Sequence, residues 1–143
     1  MEGLYRRVSP YMLSILRLMT AALFIEHGGQ KVLGFPPMTH QMPMNVIALA
    51  SGWIELVGGA LLLIGLGTRF AAFILAGEMA VAYFIVHAHG SFYPVVNGGE
   101  LAVLYCFVFL YLWIAGGGPL SVDALFRGKH AETESAPSRE SRV

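Results

Sequence analysis

Cysteine occurs once in 143 residues, at Cys106. A single thiol closes no intrachain disulfide and forms no CxxC relay, and it leaves structural zinc or an iron–sulfur cluster without a thiolate set. Charge is also sparse: Asp, Glu, Lys and Arg make up 13% of the chain, nine of each sign, for a formal net charge of zero. A chain so poor in cations carries no basic surface for a phosphate backbone, so nucleic acid is not an expected partner.

What fills the chain instead is apolar, 56% by count. Four stretches are apolar over about the length that crosses ~30 Å of hydrocarbon. They predict an all-α fold, a bundle of four transmembrane helices at about 11–28, 46–66, 70–87 and 98–115. The connections are too short to fold separately, so residues 1–126 form one domain. Arg6 and Arg7 ahead of the first run resemble the start of a secretory signal. Arg17 splits that run and no small-x-small site follows, so the first helix is expected to stay. After Gly116 to Pro119, Ser121 is placed to cap a short interfacial helix or turn that lays Leu120, Leu125 and Phe126 on headgroups. The polar segment 127–143 has no aromatic residue and is expected to be a disordered tail.

Basic residues orient the bundle. Arg6 and Arg7 precede the first span, Arg69 lies between the second and third, and Arg127, Lys129, Arg139 and Arg142 follow the fourth. The positive-inside rule then puts both termini in the cytoplasm and the loops 29–45 and 88–99 on the outer face of a plasma (inner) membrane. In this orientation Glu26 and His27 end the first span, Glu55 lies near the start of the second, His87 and His89 end the third, and Glu100 opens the fourth. All fall in the outer third, with Lys31 just above.

A charge facing lipid near the membrane centre costs ~2.5–3.5 kcal/mol, so these groups are expected to turn inward and meet. That makes Glu55, Glu100 and His87 candidates for proton exchange. Glu26, His27, Lys31, Trp53, Tyr83, Asn97 and Tyr105 are candidates for lining a ligand pocket. Glu100, Leu104, Phe107 and Tyr111 share one stripe, an acid followed by aromatic residues suited to a pocket wall. Deeper in the membrane, Arg17 and Glu78 stand at matching depths and are expected to form a structural ion pair. Gly52, Gly58 and Gly59 lie on or beside the Glu55 side of the second span and invite close helix packing. No metal site is expected. His87 and His89 read better as interface anchors than as haem or metal ligands, and Met38, His40, Met42 and Met44 read better as packing groups than as a Cu(I) site.

The segments "RLMTAALFIEHGGQKVLGFP", "GWIELVGGALLLIGLGTR", "HAHGSFYPVVNGGE" and "GGGPLSVDAL", in this order, resemble the DoxX family of small four-helix membrane proteins. The resemblance runs from about Leu13 to Phe126. It implies recurrent polar positions at His27, Gly28, Lys31, Glu55, Arg69, Asn97 and Glu100, none with a transferable catalytic role. The family takes its name from a small subunit of an archaeal thiosulfate:quinone oxidoreductase, and other members are linked to redox and thiol stress. Three classes of function stay open at this point. One is a component of quinone-linked redox chemistry, at most a subunit of an oxidoreductase, with quinone as substrate and electrons from a redox partner. Another is a small proton-coupled transporter, and the third is an accessory protein without chemistry. No cofactor is specified by the residues, and a homo-oligomer is compatible with each class.

Overall fold

The computed structural model describes residues 1–37 and 45–135, and among these it is helical with no strand. In order, the elements are α1 (Glu2–Leu33), α2 (Val46–Ile64), α3 (Thr68–Ala82), a π-helical continuation (Tyr83–His87), α4 (Pro94–Asn97), α5 (Glu100–Ala115) and α6 (Val122–Ser135). Among the described residues, three helices are long and apolar enough to cross a membrane: Glu2–Leu33, Val46–Ile64 and Thr68–His87. The fourth apolar helix, Glu100–Ala115, has 16 residues and is shorter than the four-span expectation called for.

α1 exceeds its expected bounds at both ends. It starts at Glu2 because polar Arg6, Arg7 and Ser9 reduce apolarity without opposing a helix. It also passes through Gly28 and Gly29, which the sequence suggests as a stop. These glycines serve packing: a Cβ on Gly28 would lie 2.6 Å from the Leu56 nitrogen and 2.7 Å from the Gly52 oxygen. The helix ends at Gly34, whose N–H donates to the Gly29 carbonyl.

α1 packs chiefly on α2 and α3 chiefly on α5, with α2 against α3 joining the two pairs. α1 meets α5 lightly, through Phe24 edge-on to Phe109 (centroids 4.6 Å apart) and Tyr105 (5.0 Å). Ala21, Phe24, Leu62, Ala72, Leu75, Phe109 and Leu112 are wholly or almost wholly buried and form an apolar layer through the middle. Much of the apolar bulk points outward instead, as Phe70 (71% exposed) and Ile114 (68%) illustrate. Such side chains are stable outside only where the surroundings are hydrocarbon.

α6 corrects a second expectation. Ser121 accepts from the Ala124 N–H at 3.2 Å and caps it, and the helix continues to Ser135. The irregular tail expected from Arg127 is therefore helical as far as Ser135, consistent with the good helix formers Arg127, Lys129, Ala131 and Glu132.

Candidate functional site

Arg17 and Glu78 are not partners. Arg17 is fully buried at one end of the bundle, where its guanidinium donates to four backbone carbonyls: Gly117 (2.9 Å), Leu63 (2.7 Å), Leu120 (2.5 Å) and Leu62. Two of these acceptors, Leu62 and Leu63, close α2, whose last carbonyls have no partner within the helix. The other two belong to the "GGGPL" turn after α5. Gly65 allows this fit, because its φ is +71° and a Cβ there would run into Ser121. Arg17 thus ties the end of α2 to the turn after α5 with hydrogen bonds and no ion pair. Its sequence-based depth was misjudged because α1 begins nine residues before Tyr11, which places Arg17 level with the end of α2.

Glu78 belongs to a polar chain at the other end. Lys31 and Arg17 lie about 21 Å apart along α1 at α-helical rise. The Lys31 ammonium donates to Glu55 Oε1 at 2.6 Å and to Ser51 Oγ at 2.9 Å, and Ser51 Oγ donates to Glu78 Oε1 at 2.7 Å. Lys31–Glu55 is the one ion pair among the described residues, with the Glu55 side chain 3% exposed. Each helix contributes by its own geometry: Lys31 from the last turn of α1, Ser51 and Glu55 one turn apart on α2, and Glu78 about one turn before the end of α3. Gly52 brings the helices close enough, since a Cβ there would meet Lys31 Cβ at 2.7 Å. The second oxygens of Glu55 and Glu78 are buried and have no hydrogen-bond partner.

A cavity of about 360 Å³ opens onto this chain. Its polar end is formed by Lys31, Ser51, Glu78 and Asn45, and its walls by Ile47, Ala48, Val81, Ala82, Ile85 and Val86 from α2, α3 and the π-helical turn. Asn45 is also the N-cap of α2, accepting from the Ala48 N–H at 2.9 Å. The arrangement suits a mostly apolar molecule with a hydrogen-bonding head, offered one ammonium and one carboxyl group.

The DoxX family model matches residues 12–88, more than half of the chain. The chain belongs to the DoxX family. Two proteins of Haemophilus influenzae are similar to it, each described as an uncharacterized protein. One is 47% identical over 123 residues, covering 82% of this chain and 92% of that protein. The other is 33% identical over 137 residues, covering 89% of each. No solved structure matches the chain.

Other residues of this DoxX protein expected at a shared site are dispersed. Glu26, His27, Glu100 and His89 are exposed. The stripe Glu100, Leu104, Phe107 and Tyr111 faces outward, so it walls no pocket; α5 packs through Ala102, Phe109 and Leu112 on its other side. Hydropathy could not separate the faces, because α5 is apolar all round and membrane burial does not follow polarity. Trp53 lies along a second, wholly apolar groove between α2 and α3, with Ile54, Val57 and Phe70. Tyr105 is half-buried, stacked on Phe109, with its ring centroid 6.4 Å from that of His27.

Tyr83, His87 and Asn97 meet one another and close the loop at 88–99. Tyr83 Oη donates to the Phe92 carbonyl, Asn97 Nδ2 donates to the Ser91 carbonyl at 2.7 Å, and His87 Nδ1 lies 3.2 Å from the Asn97 carbonyl. The Gly99 N–H donates to Asn97 Oδ1 at 2.7 Å. The "NGGE" motif is accounted for here as a loop clasp. No group of three or more His, Cys, Asp or Glu side chains able to hold a metal occurs among the described residues. Met38, His40, Met42 and Met44 lie outside them.

Sequence reasoning missed Ser51 and gave Glu78 the wrong neighbour. A signal for Ser51 was available: it precedes Glu55 by four residues, which places the two on one face of α2.

Proposed function

We propose that this DoxX protein is a four-span component of a quinone-linked redox system in the plasma membrane, and that the cavity between α2 and α3 receives a quinone-type headgroup. In this reading α5 is the fourth span, both termini face the cytoplasm, and Lys31 lies toward the outer surface. What supports it is one observation: an apolar cavity of about 360 Å³ ends on Lys31, Ser51 and Glu78, a hydrogen-bonded chain of one ammonium, one hydroxyl and one carboxyl group inside an apolar bundle. One ammonium and two carboxyl groups balance in charge when one carboxyl carries a proton, the state that low-dielectric surroundings favour.

The chain's part is to bind the headgroup, exclude water and move a proton through Ser51 to or from Glu78. Electrons come from a redox partner subunit. Glu78 takes the proton-exchange role the sequence suggests for Glu55, Glu100 and His87, since it alone of the four lines the cavity. Proton-coupled transport is less well supported, because the layer between this chain and Arg17 consists of the buried apolar side chains of Ala21, Phe24, Leu62, Ala72, Leu75, Phe109 and Leu112.

The test is calorimetric binding of short-chain quinones and quinols to the detergent-purified protein. Saturable binding is expected in the wild type and its loss in Ala48→Trp and Ala82→Trp, which fill the cavity while a thermal melt reports on folding. Absence of saturable binding of either redox form to the folded wild type overturns the reading.

A further inference from the structure

We propose that the outward face of α1 is the contact surface of a parallel homodimer: two copies of this chain pair their first helices around a two-fold axis along the membrane normal and set Glu26 against its counterpart. The pairing is independent of the cavity between α2 and α3 and needs no ligand.

α1 is longer than its neighbours. Its 32 residues reach about 48 Å against ~30 Å of hydrocarbon, and α2 ends level with Arg17. The residues ahead of Ser14 therefore project beyond the bundle, and residues 2–12 are all exposed. Among them are Tyr5 (68% exposed), Val8 and Met12. A short helix standing alone is marginal in water and is held by packing of an apolar face, so this projection needs a partner.

The exposed residues keep a seven-residue repeat. Tyr5, Met12, Met19 and Glu26 recur every seven positions, and Val8, Ile15 and Ala22 each follow one of the first three by three. That is the a/d spacing of a two-stranded coiled coil. At about 100° per residue the stripe lies opposite the buried face formed by Arg17, Ala21, Phe24 and Gly28, so it points away from the bundle along the whole of α1. Within the span Met19 is 59% exposed on it.

Glu26 favours protein over lipid as the cover. It is exposed, it lies about 10 Å before the end of α1 at Leu33, and among the described residues it has no ion-pair partner. Hydrocarbon offers a carboxyl group no hydrogen bond. A second copy brings the same spacing and a carboxyl group at the same depth. The membrane holds every copy the same way round, so two α1 helices run parallel and the two-fold axis sets each stripe residue opposite its own counterpart. The apolar residues interdigitate, and the two Glu26 side chains hydrogen-bond by sharing a proton. A polar residue at one such position also fixes the register of the pair. Arg6 and Arg7 fall on other sides of the helix, so the pairing brings no like charges together.

The experiment uses the full chain in lipid vesicles, in a Cys106→Ser background that leaves each introduced cysteine the sole thiol. Under a mild oxidant, Met12→Cys and Met19→Cys are expected to form disulfide-linked dimers, whereas Phe73→Cys and Leu104→Cys, comparably exposed on α3 and α5, stay monomeric. Energy transfer between donor and acceptor labels on Phe73→Cys copies, followed as lipid is added, gives the dissociation constant. Glu26→Gln still hydrogen-bonds to its counterpart and is expected to change it little, while Glu26→Leu is expected to raise it about 3- to 20-fold. All these positions except Cys106 are exposed, and a thermal melt of each variant is expected to match its background. A monomer at every dilution leaves the stripe to lipid, to the chain's own tail or to a different protein, and overturns the proposal. So do cross-links as strong at Phe73→Cys or Leu104→Cys as at Met19→Cys, and a dissociation constant that Glu26→Leu leaves unchanged.

Discussion

Asp123 caps a helix that begins 55 residues before it: its two carboxylate oxygens accept from the N–H groups of Gly67 and Thr68, each at 2.8 Å. The free N–H groups at the start of α3 are thus satisfied by the first turn of α6, and the Asp123 N–H donates back to the Gly65 carbonyl at 2.9 Å. Burial pushes the Asp123 carboxyl upward, and the Thr68 and Gly67 N–H groups together with the nearby Arg127 outweigh that, holding it below its ordinary value. Its folded-state value is the lower one, so the contribution to stability is complete above about pH 4, where an unfolded Asp ionises, and is lost as pH falls through the folded value. Thermal melts of the wild type are expected to shift downward in that acid window. Asp123→Asn should melt lower at neutral pH by the equivalent of about 1 kcal/mol and lose the acid-dependent part.

Arg17 joins the end of α2 to the turn after α5, so its removal takes a donor from four carbonyls at once, of which Leu62 keeps the Gly65 N–H and Gly117 keeps the Ser14 hydroxyl. Arg17→Met is expected to destabilise the protein by about 3–5 kcal/mol, read as a loss of folded yield or a large drop in melting temperature. Glu78→Gln should not reproduce that loss, since the two side chains belong to separate layers. Equal destabilisation by the two variants would argue for the ion pair after all.

The Lys31–Glu55 pair allows a double-mutant cycle. Lys31→Met alone leaves a buried carboxylate without its counter-charge and is expected to cost about 3–5 kcal/mol, whereas Lys31→Met with Glu55→Leu recovers most of it. Additive losses in chemical denaturation would show that the two groups do not interact. Glu100→Gln, at an exposed position, should leave stability unchanged.

The α1–α2 seam predicts opposite outcomes for two glycines. Gly28→Ala would place a methyl group against the backbone of Leu56 and Gly52, with an expected loss of about 1–3 kcal/mol. Gly77→Ala on α3 meets nothing within 4 Å and should be neutral or stabilising by about 0.5–1 kcal/mol. Melting temperatures of the two variants decide this directly.

Three apolar spans were legible in the sequence because hydropathy marks any segment that prefers hydrocarbon, and Lys31, Glu55 and the α2 glycines stood out because charge and small size are rare there. Facing was not. In lipid, Phe107 and Tyr111 gain nothing by turning inward, so an acid leading an aromatic stripe told nothing about a pocket. The depth of Arg17 depended on where α1 starts, and Arg6 and Arg7 hid that start by ending the apolar run without ending the helix. The roles of "LGTR" and "GPLSVD" were invisible for another reason: Thr68 and Asp123 meet only after α3 and α5 have folded between them.

The insulating slab of Ala72, Leu75, Phe109 and their neighbours also fixes what the proposed chemistry does to the cell's energy balance. In that chemistry Glu78 exchanges its proton with one side of the membrane only, since buried apolar side chains separate it from the Arg17 end of the bundle. A bundle so insulated is expected not to leak protons, so its expression without a redox partner should leave the proton-motive force untouched.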